Sequence, residues 1–231
     1  MKDQAAKLKA KLEERNKLSD QVELNIKFLM NKITPNNYDS IKKQIYALIR
    51  EHNHEPQIFN SFCKNIFKKA CFEKKYAEMY SKLCVNLQKF EIEKKIPEGT
   101  DRKEKAKLIV KLKKGDSVVS TTIRTLAKEG VESLSQDVEV DKEDPDWEEK
   151  LAKHREKLVG NIRFIGWLYI QSFVYLVTLL NIFTSNLLYL PKQSLENSDE
   201  PISSICLDLL EASCILIEHT GKQIDETFYD M

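Results

Sequence analysis

Residues 160–190 read GNIRFIGWLYIQSFVYLVTLLNIFTSNLLYL. No charged side chain occurs from Phe164 to Pro191, in a chain whose Asp, Glu, Lys and Arg make up 32% of residues. An uncharged run this long is either a membrane span or a segment of a soluble fold that is covered on all sides. Gly166, Gln171, Ser172, Thr178, Asn181, Thr184, Ser185 and Asn186 interrupt it. Gln171-Ser172 can break it into two helices, each too short to cross a hydrocarbon layer of about 30 Å. The run reads as the end of one helical repeat and the start of the next. The rival reading is a membrane-anchored helical protein held through 164–190.

Working outward, the composition favours helices. The chain has 231 residues, 42% of them hydrophobic, with six Gly and six Pro. That is too few Gly and Pro for a sandwich or barrel built on many tight turns. The formal net charge of +1 gives no global field that would point to nucleic acid, so any such signal is local. Five Cys, at 63, 71, 84, 206 and 214, form no CxxC pair and sit in apolar helical contexts. They read as reduced, buried thiols.

Upstream of the run, helical stripes recur. Thr34-Pro35 supplies a cap and a first helical position. Tyr38, Ile41, Ile45, Leu48 and Ile49 follow on one face. His52-Asn53-His54-Glu55-Pro56 breaks the pattern, and Ile58, Phe59, Phe62, Ile66, Phe67 and Ala70 start the next. Tyr76, Met79, Tyr80, Leu83, Cys84 and Leu87 mark a third. These are antiparallel helical pairs of about 35–40 residues, the spacing of an α-solenoid of HEAT type. The fold class is therefore all-α, with about five such pairs and the last incomplete. Residues 1–19 read as a charged leader or N-terminal helix, and 20–231 as a single domain. Two charged stretches, near 90–116 and 136–148, read as mobile loops. A helix opens near Trp147. Downstream, 191–201 reads as a loop, Ile202 to Thr220 as the last full helix, and Gly221 as its stop.

Four phrases resemble one family. Leu29-Met-Asn-Lys-Ile-Thr-Pro35 followed by Tyr38 is similar to the LNKLTP…F opening of the middle domain of eukaryotic translation initiation factor 4G. Ile66-Phe-Lys-Lys-Ala70, then Tyr76, Tyr80, Leu83 and Cys84, resembles its IFEKA…Y…C segment. Gly160-Asn-Ile-Arg-Phe-Ile-Gly166 resembles GNIKFIGEL, and His219-Thr-Gly-Lys-Gln-Ile-Asp225 resembles TIGKxLD. The matches keep the family's order from about residue 22 to 228. Two departures stand out: Trp167 replaces the usual Glu, and the helix that follows has lost its charges. These leave open a hydrophobic partner surface around Trp167.

The resemblance implies a crescent of HEAT repeats acting in the cytoplasm in translation initiation. It implies a scaffold, not an enzyme, that binds the DEAD-box RNA helicase initiation factor 4A, orients its lobes to stimulate ATPase and unwinding, and touches RNA. The family's helicase contact maps onto Met30, Ile33 and Tyr38. Read from sequence alone, those three are equally the core of a helix junction. Other superfamily scaffolds remain alternatives: a nonsense-mediated decay factor, a nuclear cap-binding large subunit, or a poly(A)-binding-protein-interacting regulator.

For RNA, the candidates are Arg102, Lys103, Lys105, Lys107, Lys111, Lys113 and Lys114, a basic cluster relieved by Asp101 and Glu104. Phosphate binding asks for charge and reach, so a solvated loop explains the same residues. Lys64, Lys68, Lys69, Lys74 and Lys75 form a second basic patch. No phosphate-binding loop, GxSxG, HExxH or CxxC pair occurs, so no catalytic residue, cofactor or metal site is assigned. His52, His54 and Cys63 lack a further ligand pair at a suitable spacing. A cap-binding-protein motif, Tyr-x4-Leu-apolar, fails at Tyr175 because Asn181 follows Leu180.

Overall fold

The computed structural model describes residues 20–111, 117–134, 145–196 and 204–229. The expected leader 1–19 and the acidic residues 135–144 lie outside them. Among the described residues all regular structure is helical. Helix α1 covers 20–32. A 3-10 turn Pro35–Asn37 leads into α2 (Tyr38–Glu51). Then come α3 (Pro56–Phe72), α4 (Ala77–Lys95), α5 (Arg102–Lys111), α6 (Val118–Leu134) and α7 (Trp147–Ile170). The chain closes with α8 (Leu176–Ile182), α9 (Tyr189–Glu196) and α10 (Ser204–Tyr229). Neighbouring helices stack in chain order: α3 on α4, α6 on α3 and α4, α7 on α6, and α10 on α7.

Two apolar cores result, and α7 is shared between them. Helices α1 to α4 bury Ile26, Met30, Ile45, Phe62 and Leu83 in the first. Leu179, Ile182, Leu209 and Leu216 of α8 and α10 lie in the second. Phe164 and Leu168 of α7 face the first core, while Ile162, Ile165 and Tyr169 face the second. Phe67 packs against both and meets the Phe164 ring edge-on at 5.8 Å. A helix buried on two sides has no face left for charge. That accounts for the uncharged end of α7, Phe164 to Ile170, whereas Tyr175, Val177 and Leu180 beyond it are exposed; among the described residues, no helix is long and apolar enough to cross a membrane.

The break in the run falls where Gln171-Ser172 places it. Ser172 has φ +57°. Its N–H donates to the Tyr169 carbonyl at 2.8 Å, and Phe173 N–H donates to the Leu168 carbonyl at 2.8 Å. This pair of bonds is a Schellman motif, with Ser in the position that favours Gly. Phe173 and Leu168 are both buried beneath it. The end of α2 repeats the device, with Asn53 at φ +50° and His54 N–H bonded to the Ile49 carbonyl at 2.9 Å.

The Gly160–Gly166 signature is a set of close approaches. A β-carbon on Gly160 would stand 1.8 Å from the Cys71 carbonyl oxygen, so α7 meets the end of α3 backbone to backbone. One on Gly166 would stand 2.6 Å from the His219 ring on α10. Between them, Asn161 is 1% exposed and lies against Gly130 of α6. Gly130 thus makes room for a side chain from the next helix, which offsets its cost to α6.

Four expectations change. Cys214, read with the other four as a buried thiol, is exposed on α10. The segment from 90 onward is helical in two parts, not a loop throughout. Helix α4 continues to Lys95 because Phe90, Glu91 and Ile92 are buried, and Phe90 stacks on Tyr46 at 4.1 Å. Helix α5 follows a turn at Pro97–Thr100, with Asp101 Oδ1 accepting the Lys103 N–H at 2.9 Å. Pro191 lies inside α9 rather than in a loop, because it occupies the first turn, where no backbone donor is required. Gly221 does not stop α10, which continues to Tyr229 with Ile224 packed against the second core.

Candidate functional site

The junction of α1 and α2 carries the three residues assigned to helicase contact. Its shape comes from Asn37. The Asn37 Oδ1 accepts the Thr34 N–H at 2.7 Å, while its Nδ2 donates to the Lys32 carbonyl at 2.8 Å. One side chain thus ties the last turn of α1 to the first turn of α2. The structure separates the three candidates. Met30 is 0% exposed and Ile33 3%, so both are core in this conformation and present no surface. Tyr38 is half-buried, and its hydroxyl accepts a bond from Asn86 Nδ2 at 2.8 Å. Burial pushes the Tyr38 hydroxyl above the ordinary tyrosine range, and the Asn86 bond partly opposes this.

Two residues were missed there. Leu24 is 59% exposed and Phe28 56%. They are four apart, on the side of α1 away from Val22, Ile26 and Met30. That offset was visible in the sequence: apolar residues off a helix's main stripe are candidates for an external contact. The Lys32 ammonium sits 3.8 Å from the Phe28 ring centroid. Lys32 also offers its carbonyl to Asn37, and Tyr38 follows. Leu24, Phe28 and Lys32 therefore form one exposed strip along α1, while the half-buried Tyr38 turns toward Asn86 of α4.

The basic candidates stand on α5. Arg102, Lys103, Lys105 and Lys107 are exposed, as is the intervening Glu104. Lys111 ends the helix, and its side chain is outside the description; Lys113 and Lys114 lie outside the described residues altogether. The second basic patch divides. Lys64, Lys68 and Lys75 are exposed. Lys69 is engaged by Glu73 at 2.6 Å and by Asn31 Oδ1 at 3.2 Å, and Lys74 pairs with Glu156 at 3.5 Å. Around Trp167 the apolar surface is partly used internally, since that ring meets His219 edge-on at 4.5 Å. Val177, at 68% exposure, and Tyr175 remain on the outside of the same region.

Among the described residues no three His, Cys, Asp or Glu side chains gather as metal ligands. Burial pushes the Cys71 thiol up to about 12 and raises those of Cys63 and Cys84 as well. Thiols held protonated in this way are poor nucleophiles.

A molecule built from stacked helices, with closely packed glycines inside and its chemistry on outer strips, works by presenting surface. That places it in the class of helical scaffold domains. The sequence model of the MIF4G domain family matches residues 23–229, and the chain belongs to that family. It is similar to a eukaryotic translation initiation factor 4G of Arabidopsis thaliana, 26% identical over 152 residues. That alignment covers 62% of this chain and 8% of the relative, so the chain spans a small part of that protein's length. In fold it is similar to the crystal structure of the MIF4G domain of Trypanosoma cruzi translation initiation factor EIF4G5. The TM-score is 0.51 and the identity 17%, over 87% of this chain and 77% of the other.

Proposed function

We propose that this domain is a translation initiation scaffold that binds the DEAD-box helicase initiation factor 4A and contacts RNA. Family membership and the similarity to factor 4G support the class of function. The outer strip of Leu24, Phe28 and Lys32, with Tyr38 at the following turn, carries the partner assignment. Large apolar side chains exposed together, edged by a cation, are what a protein contact uses. Met30 and Ile33 support the strip from beneath, which preserves the role of the α1–α2 junction while moving the contact outward. The helicase would engage here through apolar burial rather than charge. By holding helicase lobes in one orientation the scaffold would raise turnover without supplying a catalytic group.

The RNA contact falls to α5. Its four exposed cations need only reach phosphates, and the sequence continues with Lys111, Lys113 and Lys114. The domain acts in the cytoplasm on this reading. Titration of factor 4A against the domain tests it. Leu24→Asp with Phe28→Asp is expected to abolish binding while leaving the helical circular dichroism unchanged. Undiminished binding by that folded double variant would overturn the surface assignment.

A further inference from the structure

We propose that the cleft between the first half of α7 and α10 docks a basic amphipathic helix of a partner protein. This lies apart from the α1 strip, which borders the first core, and it uses none of the residues assigned to the helicase or to α5; Lys74 of the second basic patch sits on its rim. The cleft has a volume of 570 Å³, within the range of sites that hold a ligand or an anchoring side chain.

Two neighbouring ridges of α7 line it. One runs through Trp147, Leu151, Arg155 and Val159, each four residues from the last, and the other through Glu148, Ala152 and Glu156. Trp147, Leu151 and Val159 make the lining apolar, with an indole at the helix start. Trp is the residue type most often found anchoring a protein contact.

The rim decides the partner's charge. Four carboxylates, Glu148, Glu156, Asp208 and Glu211, face two cations, Lys74 and Arg155. Both cations are engaged. Arg155 Nε lies 3.1 Å from Asp208 Oδ1, the same guanidinium bonds Glu211, and Lys74 reaches Glu156 at 3.5 Å. Two negative charges remain uncompensated beside an apolar wall, where a field is least screened. Phosphate backbones, anionic lipid surfaces and acidic peptides have the wrong sign. An occupant must bring an aliphatic stripe for the Trp147–Leu151 floor and Lys or Arg beside it for Glu148 and for the Asp208–Glu211 pair, which shares the single Arg155. A basic amphipathic helix has both.

The test uses the whole chain carrying Trp167→Phe, which leaves Trp147 as the one indole. Its fluorescence is followed while a synthetic amphipathic helix of Lys and Leu is added. The expected result is a saturable blue shift. Binding should weaken about tenfold in Glu148→Gln/Glu211→Gln, from the loss of the two uncompensated rim charges. It should be unchanged in Glu93→Gln/Glu129→Gln, which removes two exposed carboxylates elsewhere. A matched helix of Glu and Leu should not bind. Absent saturation, equal binding of the acidic helix, or equal weakening by the remote pair would overturn the proposal. So would sedimentation showing a dimer of this chain that Glu148→Gln/Glu211→Gln dissolves, because the occupant would then be a second copy.

Discussion

The carbonyl oxygen of Cys71 occupies the space that a β-carbon on Gly160 would need, at 1.8 Å. Helices α3 and α7 therefore touch through their backbones. Gly160→Ala has no flexible neighbour to displace. It is expected to destabilise the domain by about 3 kcal/mol, the upper end for overpacking. Gly166→Ala meets side chains alone, the His219 ring at 2.6 Å and Thr220 Cγ2 at 3.4 Å, so its cost is expected to be lower, about 1 kcal/mol. Thermal unfolding of the two variants side by side checks the ordering.

Gly221 should respond in the opposite sense to Gly160. It lies within α10, and a β-carbon there finds only Ile217 Cγ2 at 3.9 Å. Gly221→Ala is expected to stabilise by about 0.5 to 1 kcal/mol, from helix propensity alone. Urea unfolding with an unchanged m-value would register this as a higher midpoint.

Ser172 holds a left-handed conformation at the end of α7. Ser172→Gly relieves the β-carbon strain, and the added freedom of the unfolded chain returns part of the gain. A net stabilisation of about 0.5 kcal/mol is expected. Ser172→Val should destabilise, because a β-branched residue resists that φ. Denaturant midpoints of both variants test the sign.

Glu91 is 4% exposed and serves the start of α6. Its carboxylate accepts the Ser117 hydroxyl at 2.7 Å and the backbone N–H groups of Val118 and Val119 at 2.8 and 3.1 Å. Lys95 adds an ion pair at 2.8 Å. This set anchors α6 to α4 across the charged connection. Glu91→Ala leaves buried donors without a partner and is expected to cost about 3 kcal/mol. Hydrogen exchange should show lost protection in the first turn of α6 ahead of the other helices.

These residues mark where the sequence was legible. The stripe Ile41, Ile45, Leu48 and Ile49 is buried as its spacing indicated, and so is Ile58, Phe59, Phe62 and Ile66. Helical periodicity is local, and so were the correct readings. The split at Gln171-Ser172 was also readable, since the polar pair sits at the break itself. What escaped depended on distant partners. Glu91 looked like one more charge in a charged stretch, and only Ser117 and α6 make it structural. Gly160 carried a family resemblance, but its reason lies on α3. Met30 and Ile33, matched to a helicase contact by resemblance, lie in the first core, while Leu24 and Phe28 were passed over although their offset from the main stripe was in view.

Acid should weaken the fold through its histidines. Burial lowers the proton affinity of His219 and His154, with Arg163 and Lys157 acting in the same direction. Their folded pKa values lie below the ordinary histidine value of about 6.5, so the unfolded chain binds more protons as pH falls. The stability they contribute is present above that value and is lost as pH falls toward the folded pKa. Urea midpoints measured from neutral pH down to about 5 should decrease, and His154→Gln/His219→Gln should flatten the slope.

The α5 assignment has a quantitative signature. If Arg102, Lys103, Lys105 and Lys107 each meet a phosphate, changing all four to Gln should lower the salt dependence of single-stranded RNA binding. The slope of log K against log salt should fall by about 0.7 per contact. Fluorescence anisotropy over a salt series gives that slope directly.

The ATPase rate of initiation factor 4A, measured with and without this domain at saturating RNA and ATP, tests the central claim most directly. A scaffold that orients the helicase lobes should raise turnover severalfold, and Leu24→Asp/Phe28→Asp should return it to the rate of the helicase alone. Unchanged turnover with the wild-type domain, or stimulation that survives the double substitution, would contradict it.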